Sequence, residues 1–323
     1  MKSLNKIGFY TLSDERAISS SSKSPLWRCE LILTDACNFK CVYCRGLRND
    51  ISGTMPLTKA IEVVEYWCDE GLKNVRFSGG EPTLYKGLSH LVSYCKIRGV
   101  ERIAVSTNGS ASKELYQKLI DVGVNDFSVS LDACCSNVAD KIAGGIEGAW
   151  EVVVDNIKWL SKKVYTTVGV VINEENISSC LDTIKFADTL GVSDIRVIPS
   201  AQYDKMLEVM SQIPKDILDK YPILSYRSNN TLNGIHTRGL KESDSKKCYL
   251  ALDDMAVAGK YHFPCIIYMR EQGNPIGLVS QNVRKEREEW VEKHDCQCDP
   301  ICKKNCLDVC IDFNNKAKER EVK

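Results

Sequence analysis

The chain has 323 residues, 43% hydrophobic and 27% charged, a balance that suits a globular fold of one large domain or two ordinary ones. Lysine plus arginine equals aspartate plus glutamate at 43 each, so the zero net charge argues against a nucleic-acid or anionic-membrane partner. No apolar run is long enough for a transmembrane helix, and the opening MKSLNKIGFYTLSDERA carries no apolar signal core, so a cytoplasmic home is expected.

Disulfides are rare in that compartment, so the 16 cysteines need another role. Three stand at 37–44 and five at 296–310, a clustering that favours metal or iron–sulfur ligation.

Residues 1–25 have few periodic apolar positions and close on serines 19–22, which reads as a loose arm or lid. From residue 27, strand-like apolar runs alternate with amphipathic helical ones. The first strand, 27–34, leads into Cys37, Cys41 and Cys44. Pro56 opens a helix with Ile61, Val64 and Trp67 inward, closed by Gly71. The second strand, 74–78, ends in Gly79-Gly80-Glu81-Pro82, and a helix follows to Gly99. The third, 102–106, ends in Thr107-Asn108-Gly109, followed by a helix at 113–122. The fourth, 126–131, ends in Asp132, and a glycine-bearing loop leads to a helix at 149–160. The fifth spans 164–172, with a helix at 177–190; the sixth, 194–198, is stopped by Pro199.

Six strand–helix units match the ~30 residues of a βαβ crossover, whereas a closed eight-unit barrel needs ~250 residues. The fold class expected is α/β: a partial (βα)6 TIM-like barrel at 26–200. A helix at 203–210 and broken sequence at 213–239 are read as a connecting segment, 201–239. Residues 240–323 are read as a smaller cysteine-rich domain. It would hold a hairpin around Gly259, a charged helix at 282–294, the run CQCDPICKKNCLDVC and a fraying polar tail.

In such folds chemistry gathers at the carboxyl ends of the strands. Each polar or glycine-rich motif falls there. Cys37, Cys41 and Cys44, in C-x₃-C-x₂-C spacing, can hold three irons of a cubane cluster and leave the fourth open. Structural zinc wants four ligands, and no fourth Cys or His lies near this loop. Phe39 and Tyr43 would shield a cluster from water. Gly79 and Gly80 let the backbone approach a ligand closely, and Glu81 can accept from an ammonium group.

The stretch CNFKCVYC resembles the signature of the radical S-adenosylmethionine (SAM) superfamily, and the resemblance extends over about 28–200. It implies a [4Fe-4S] cluster on Cys37, Cys41 and Cys44 that binds SAM through its open iron. Gly79-Gly80-Glu81-Pro82 is similar to the motif that takes the methionine amino group. Ser106-Thr107-Asn108-Gly109 and Ser130-Leu131-Asp132 resemble the motifs contacting ribose and methionine. The segment 168–173, with Val171, resembles the strand that lies along the adenine, and Arg196 sits where relatives place a polar group. The implied chemistry is one-electron cleavage of SAM to a 5′-deoxyadenosyl radical, which abstracts hydrogen from a substrate. A reducing partner such as flavodoxin or ferredoxin is implied as well.

Cys248, Cys265, Cys296, Cys298, Cys302, Cys306 and Cys310 resemble the twitch or SPASM extensions of this superfamily, which hold one or two auxiliary [4Fe-4S] clusters. The spacing here is more compact. The reading favours one auxiliary cluster on Cys248, Cys265 and two of the last group, with a second left open. C-x₃-C spacing suits zinc nearly as well. Cys29, Cys68, Cys95 and Cys180 read as small hydrophobes and Trp27, Trp67, Trp150 and Trp159 as core. Cys134 and Cys135 sit at the active end and are left open, with a hydrogen-atom-donating thiol the sharper reading. No histidine, His294 included, is assigned a role. The substrate is expected to be a peptide or a small metabolite, nucleoside or sugar. The absence of an N-terminal peptide-binding domain weakens the peptide reading. The alternative function is a non-catalytic iron–sulfur electron carrier or scaffold.

Overall fold

A computed structural model describes residues 14–321 apart from 201, 202 and 204. One sheet organises the molecule. Its strands are β1 (Arg28–Thr34), β2 (Asn74–Gly79), β3 (Arg102–Thr107), β4 (Asp126–Ser130), β5 (Tyr165–Ile172), β6 (Asp194–Pro199), β7 (Asp254–Ala258), β8 (Tyr261–Phe263) and β9 (Gly277–Leu278). They lie in the order β6-β5-β4-β3-β2-β1-β7-β8-β9. Strands β1 to β6 pair in parallel with their sequence neighbours, as expected of a partial (βα)6 barrel. The parallel strands are buried almost throughout, which is why they read as continuous apolar runs rather than alternations.

The helices are α1 (Asp14–Ser19), α2 (Leu57–Asp69), α3 (Leu88–Ile97), α4 (Lys113–Val122), α5 (Ser136–Ile142), α6 (Ala149–Leu160) and α7 (Cys180–Asp188). There follow α8 (Met206–Met210), α9 (Lys215–Lys220), α10 (Pro222–Leu232), α11 (Ile266–Arg270), α12 (Val283–Lys293), α13 (Pro300–Asn305) and α14 (Asp308–Glu321). Helices α2, α3, α4, α6 and α7 bury one face each against the sheet. Trp67, Tyr116, Phe77 and Phe127 are among the largest side chains of that core. Ser112 caps α4 by accepting from Leu115 N, and Gly123 closes it at φ +133°, a conformation glycine adopts without strain.

Four segments depart from the sequence expectations. The loop before α6 contains α5, which glycines 144, 145 and 148 obscured. The broken segment 213–239 holds α9 and α10. Pro214 is the residue just before α9 and Pro222 is the first residue of α10, where a missing N–H is harmless, so they mark helix starts rather than breaks. The tail at 308–321 is helical, with Phe313 and Ala317 buried against Ala17 and residues 248–252. Residues 14–25 are packed down: Ala17 and Ser20 are buried and Arg16 forms an ion pair with Asp253. Residues 1–13 of the expected arm lie outside the described residues.

The hairpin expected around Gly259 is β7–β8, with Gly259 at φ +58°. Strand β7 also pairs in parallel with β1, from Arg28–Asp254 to Ile32–Ala258. Residues 240–323 therefore continue the sheet of the barrel, and the cysteine-rich tail sits beside the strand that carries the first cysteine loop.

Candidate active site and the second cysteine site

The loop after β1 runs along the carboxyl ends of the strands. Cys37 and Cys44 are exposed and Cys41 is half-buried. The loop is held by its backbone: Lys40 N donates to Ala143 O at 2.8 Å, Val42 N to Ile142 O at 3.1 Å, and Cys44 N to Cys41 O at 3.0 Å. The first two acceptors are the last carbonyls of α5, which otherwise have no partner. Gly144, at φ +99°, lets the chain pass against Lys40. Burial, then Asp132, Cys44 and Cys37, push the Cys41 thiol up to about 12. Such a thiol becomes a ligand when a metal ion displaces its proton.

The double glycine has a structural reason beside any ligand. A Cβ on Gly79 would collide with Thr34 O, and one on Gly80 with Ala36 O. Gly80 N donates to Thr34 O at 2.6 Å and Glu81 N to Ala36 O at 2.8 Å. The glycines thus bring the end of β2 onto the backbone that leads into the cysteine loop. Glu81 is 1% exposed. Its Oε1 accepts from Thr83 N at 3.0 Å, Thr83 Oγ1 at 2.7 Å and Thr107 Oγ1 at 2.8 Å, and its Oε2 from Asn108 N at 2.7 Å. Burial raises its pKa and these donors oppose the rise. Pro82 starts a buried 3-10 turn, Pro82–Leu84. Asn108 reaches the loop: its Nδ2 donates to Asn38 Oδ1 at 2.9 Å and lies 3.9 Å from Cys37 Sγ.

Asp132 ties three elements together. Its Oδ2 accepts from the Tyr43 hydroxyl and its Oδ1 from Val171 N at 2.8 Å. Burial pushes its pKa up to about 6. Asn176, wholly buried, donates to Asp132 O and Val171 O, both at 2.9 Å. Asn173 Nδ2 also donates to Val171 O. Asn173 closes the segment 168–173 read from the sequence, whereas Asn176 was missed there, although N-x-x-N after a strand is a turn signature. Ser130 is exposed and lines a cavity with Phe39, Cys41, Asn108, Asp132 and Trp150. Gly169 on β5 leaves room for the Arg196 guanidinium, 3.1 Å from where a Cβ would stand. Cys134 and Cys135 lie at the start of α5, half-buried, and do not line that cavity.

Two arginines absent from the sequence reading also reach this end of the barrel. Arg270, the last residue of α11, donates to Gly46 O at 2.8 Å and Gly79 O at 3.1 Å. Arg238 has its Nη2 3.5 Å from Pro199 O at the end of β6, while its buried Nε and Nη1 have no hydrogen-bond partner. Burial, Arg45 and Arg227 pull its pKa down to about 10. It lines a cavity with Tyr226, His236, Lys241 and the carboxylates of Asp244, Asp308 and Asp312.

The second site is buried. Cys248, Cys265, Cys296, Cys302, Cys306 and Cys310 line one apolar pocket with Tyr268, Trp290 and Leu250. Cys298 is exposed and is not part of the lining. Burial pushes Cys310 up to about 12 and raises Cys306 strongly. The donor set of thiols on an apolar wall fits an iron–sulfur cluster, as the exposed triad of the first loop fits one with an iron left without a protein ligand. His294 stands beside this pocket without lining it, with Nε2 3.6 Å from Cys302 Sγ.

The family model described as Radical SAM superfamily matches residues 31–187. Curated relatives include a probable GTP 3′,8-cyclase of Sulfurisphaera tokodaii, 29% identical over 63% of this chain and 69% of the relative. The GTP 3′,8-cyclase of Helicobacter pylori J99 is 31% identical over 59% of this chain and 63% of the relative. In two further archaeal relatives the match takes in 54% and 57% of their length. Among solved structures, Streptococcus suis SuiB bound to S-adenosylmethionine superposes with TM-score 0.59 and 15% identity, over 84% of this chain and 64% of that one. The anSMEcpe structure with bound AdoMet gives 0.60 and 15%, over 92% and 96%. At that identity the likeness carries the fold. No helix among the described residues is long and apolar enough to cross a membrane.

Proposed function

The chain belongs to the radical SAM superfamily, and we propose that it directs SAM-derived radical chemistry at an anionic, nucleotide-like substrate. When bound, the [4Fe-4S] cluster and SAM supply a one-electron cleavage of the sulfonium and a 5′-deoxyadenosyl radical that takes a hydrogen atom. The chain's own residues hold, orient and enclose. Cys37, Cys41 and Cys44 are the three cluster ligands, on a loop fixed by α5 and by the close approach of Gly79 and Gly80. Glu81 accepts four protein donors and keeps room on Oε2 for one more, the cofactor's ammonium. Asp132 fixes Tyr43 of the cluster loop against Val171, the segment assigned to the adenine. Cys248 and Cys265, with thiols of the last group, hold auxiliary metal. A reduced flavodoxin or ferredoxin is the electron source.

The observation that carries the substrate reading is Arg238. Two buried guanidinium nitrogens without an acceptor, on a side chain that reaches the end of β6, call for an anion. The relatives named GTP 3′,8-cyclase support a nucleoside triphosphate over a peptide, at twice the sequence identity of the SuiB and anSMEcpe structures.

Reconstituted protein is incubated without oxygen with SAM and dithionite, with and without GTP, ATP or a peptide panel, and 5′-deoxyadenosine is measured. A nucleoside triphosphate is expected to raise its formation at least tenfold. The variant Arg238→Ala is expected to raise the KM for that nucleotide tenfold or more, the value of about one charge-assisted hydrogen bond. Stimulation by peptides alone overturns the substrate reading and leaves SAM cleavage standing. No 5′-deoxyadenosine from protein with an intact cluster overturns both.

A further inference from the structure

We propose that His294, Cys296 and Cys302 bind a single tetrahedral metal ion, zinc by donor chemistry, beside the auxiliary cluster. Among the described residues these three form the tight group of metal-ligating atoms: Nε2 and the two Sγ atoms all lie within 4.8 Å of one another. The Cys302 Sγ to His294 Nε2 separation is 3.6 Å. Ligands of one tetrahedral ion, with metal–sulfur near 2.3 Å and metal–nitrogen near 2.0–2.1 Å, stand ~3.6 Å apart. Thiolates on different irons of a cubane stand ~6 Å apart. The spacing therefore matches one shared ion and is too short for two corners of a cluster. Cys37, Cys41 and Cys44 form no such tight group, as a cubane requires.

The imidazole is held for this task. It stacks on Trp290 at 4.0 Å and 18°, and meets Tyr268 edge-on at 6.1 Å. Asp299 stands 3.7 Å from Nε2, beyond hydrogen-bond range, and is already engaged. Its Oδ1 caps α13 by accepting from Ile301 N and Cys302 N, and its Oδ2 accepts from the Tyr268 hydroxyl at 2.9 Å. That cap fixes the first turn of α13 and so the position of Cys302. Cys248, whose thiol hydrogen-bonds with that of Cys296, stands outside this tight group. Two thiols and one imidazole, with water in the fourth position, are a zinc donor set. Cys248, Cys265, Cys306 and Cys310 then remain as a four-thiol set for the auxiliary cluster.

The test is metal analysis and zinc K-edge X-ray absorption on the anaerobically purified, cluster-loaded chain. One equivalent of zinc is expected, with two sulfurs near 2.3 Å and nitrogen or oxygen near 2.0 Å. His294→Ala is expected to cut zinc at least fivefold with iron unchanged, and His294→Cys to retain zinc with a third sulfur in its shell. Cys298→Ser is expected to change neither metal. The wild-type spectrum needs no variant to fold. Zinc below a tenth of an equivalent, with Mössbauer spectra assigning every iron to cubanes, overturns the proposal. So does a loss of iron rather than zinc from His294→Ala.

Discussion

The two cysteine sites are presented to their surroundings in opposite ways. The first puts three thiols on one exposed loop past β1, far enough apart to take different irons. The second gathers six thiols from distant parts of the chain into an apolar pocket, with the His294 imidazole beside it. An open site built from one loop leaves a coordination position for a small molecule. A closed site built from many segments stitches the fold together, since each metal bond joins residues far apart in sequence. The pairing of β7 with β1 sets the two side by side, and Arg270, five residues past Cys265, bonds the carbonyls of Gly46 and Gly79 at the first site.

The sharpest way to break this comparison is to remove the first site alone. Cys37→Ala/Cys41→Ala/Cys44→Ala is expected to abolish 5′-deoxyadenosine formation. Because the loop is tethered through backbone bonds to Ala143 and Ile142 rather than through its thiols, the thermal midpoint of the cluster-free variant should stay within ~2 °C of cluster-free wild type. Residual iron then counts the auxiliary cluster by itself. A midpoint lower by about ten degrees would mean that the open loop is a structural site after all.

A second variant tests whether the double glycine serves the loop as well as the cofactor. Gly80→Ala puts a methyl against Ala36 O, a backbone atom that cannot swing away as a side chain would. The expected loss of stability is roughly 3–5 kcal/mol, or a displaced loop that no longer assembles a cluster. Chemical denaturation of the cluster-free protein measures the first, and iron content after reconstitution the second. A stable variant with full iron and lost SAM binding would assign Gly80 to the ligand alone.

The sequence made the first site legible because its chemistry demands particular residue types at strand ends. Thiols at 37, 41 and 44, the glycines at 79 and 80, and Asp132 are recognisable without a fold. The strands were legible because both faces are buried. What it hid has common physical causes. Pro214 and Pro222 begin helices, yet proline also ends them, and only the structure tells which. Arg238 and Arg270 act through guanidinium groups at the ends of long side chains, and nothing local marks an arginine that turns inward. His294 lies two residues before Cys296 in a segment that is neither helix nor strand, and gains meaning when α13 folds Cys302 back onto it. Glu81 was readable as an acceptor, but not as the knot of four hydrogen bonds that joins β2 to β3.

The smallest effect concerns Asp132, which links the open loop to β4 and β5 and has no counterpart in the closed pocket. Its pKa lies at about 6, above the ~4 of an unfolded chain, because burial disfavours the charged form. A group raised in the folded state adds stability that is complete below pH ~4 and is lost as pH rises through about 6. The difference reaches at most ~3 kcal/mol, and the carboxylate–Tyr43 bond is the partial compensation above that range. Glu81 and Asp253 are also raised by burial and slope the same way, so only a comparison isolates one residue. Denaturation of the cluster-free protein between about pH 4 and 7 should therefore lose stability with rising pH more steeply in wild type than in Asp132→Asn. The substituted amide keeps an acceptor for Val171 N and carries no charge. Equal slopes would mean that Asp132 stays ionised throughout, as an aspartate bonded to bound cofactor or water would.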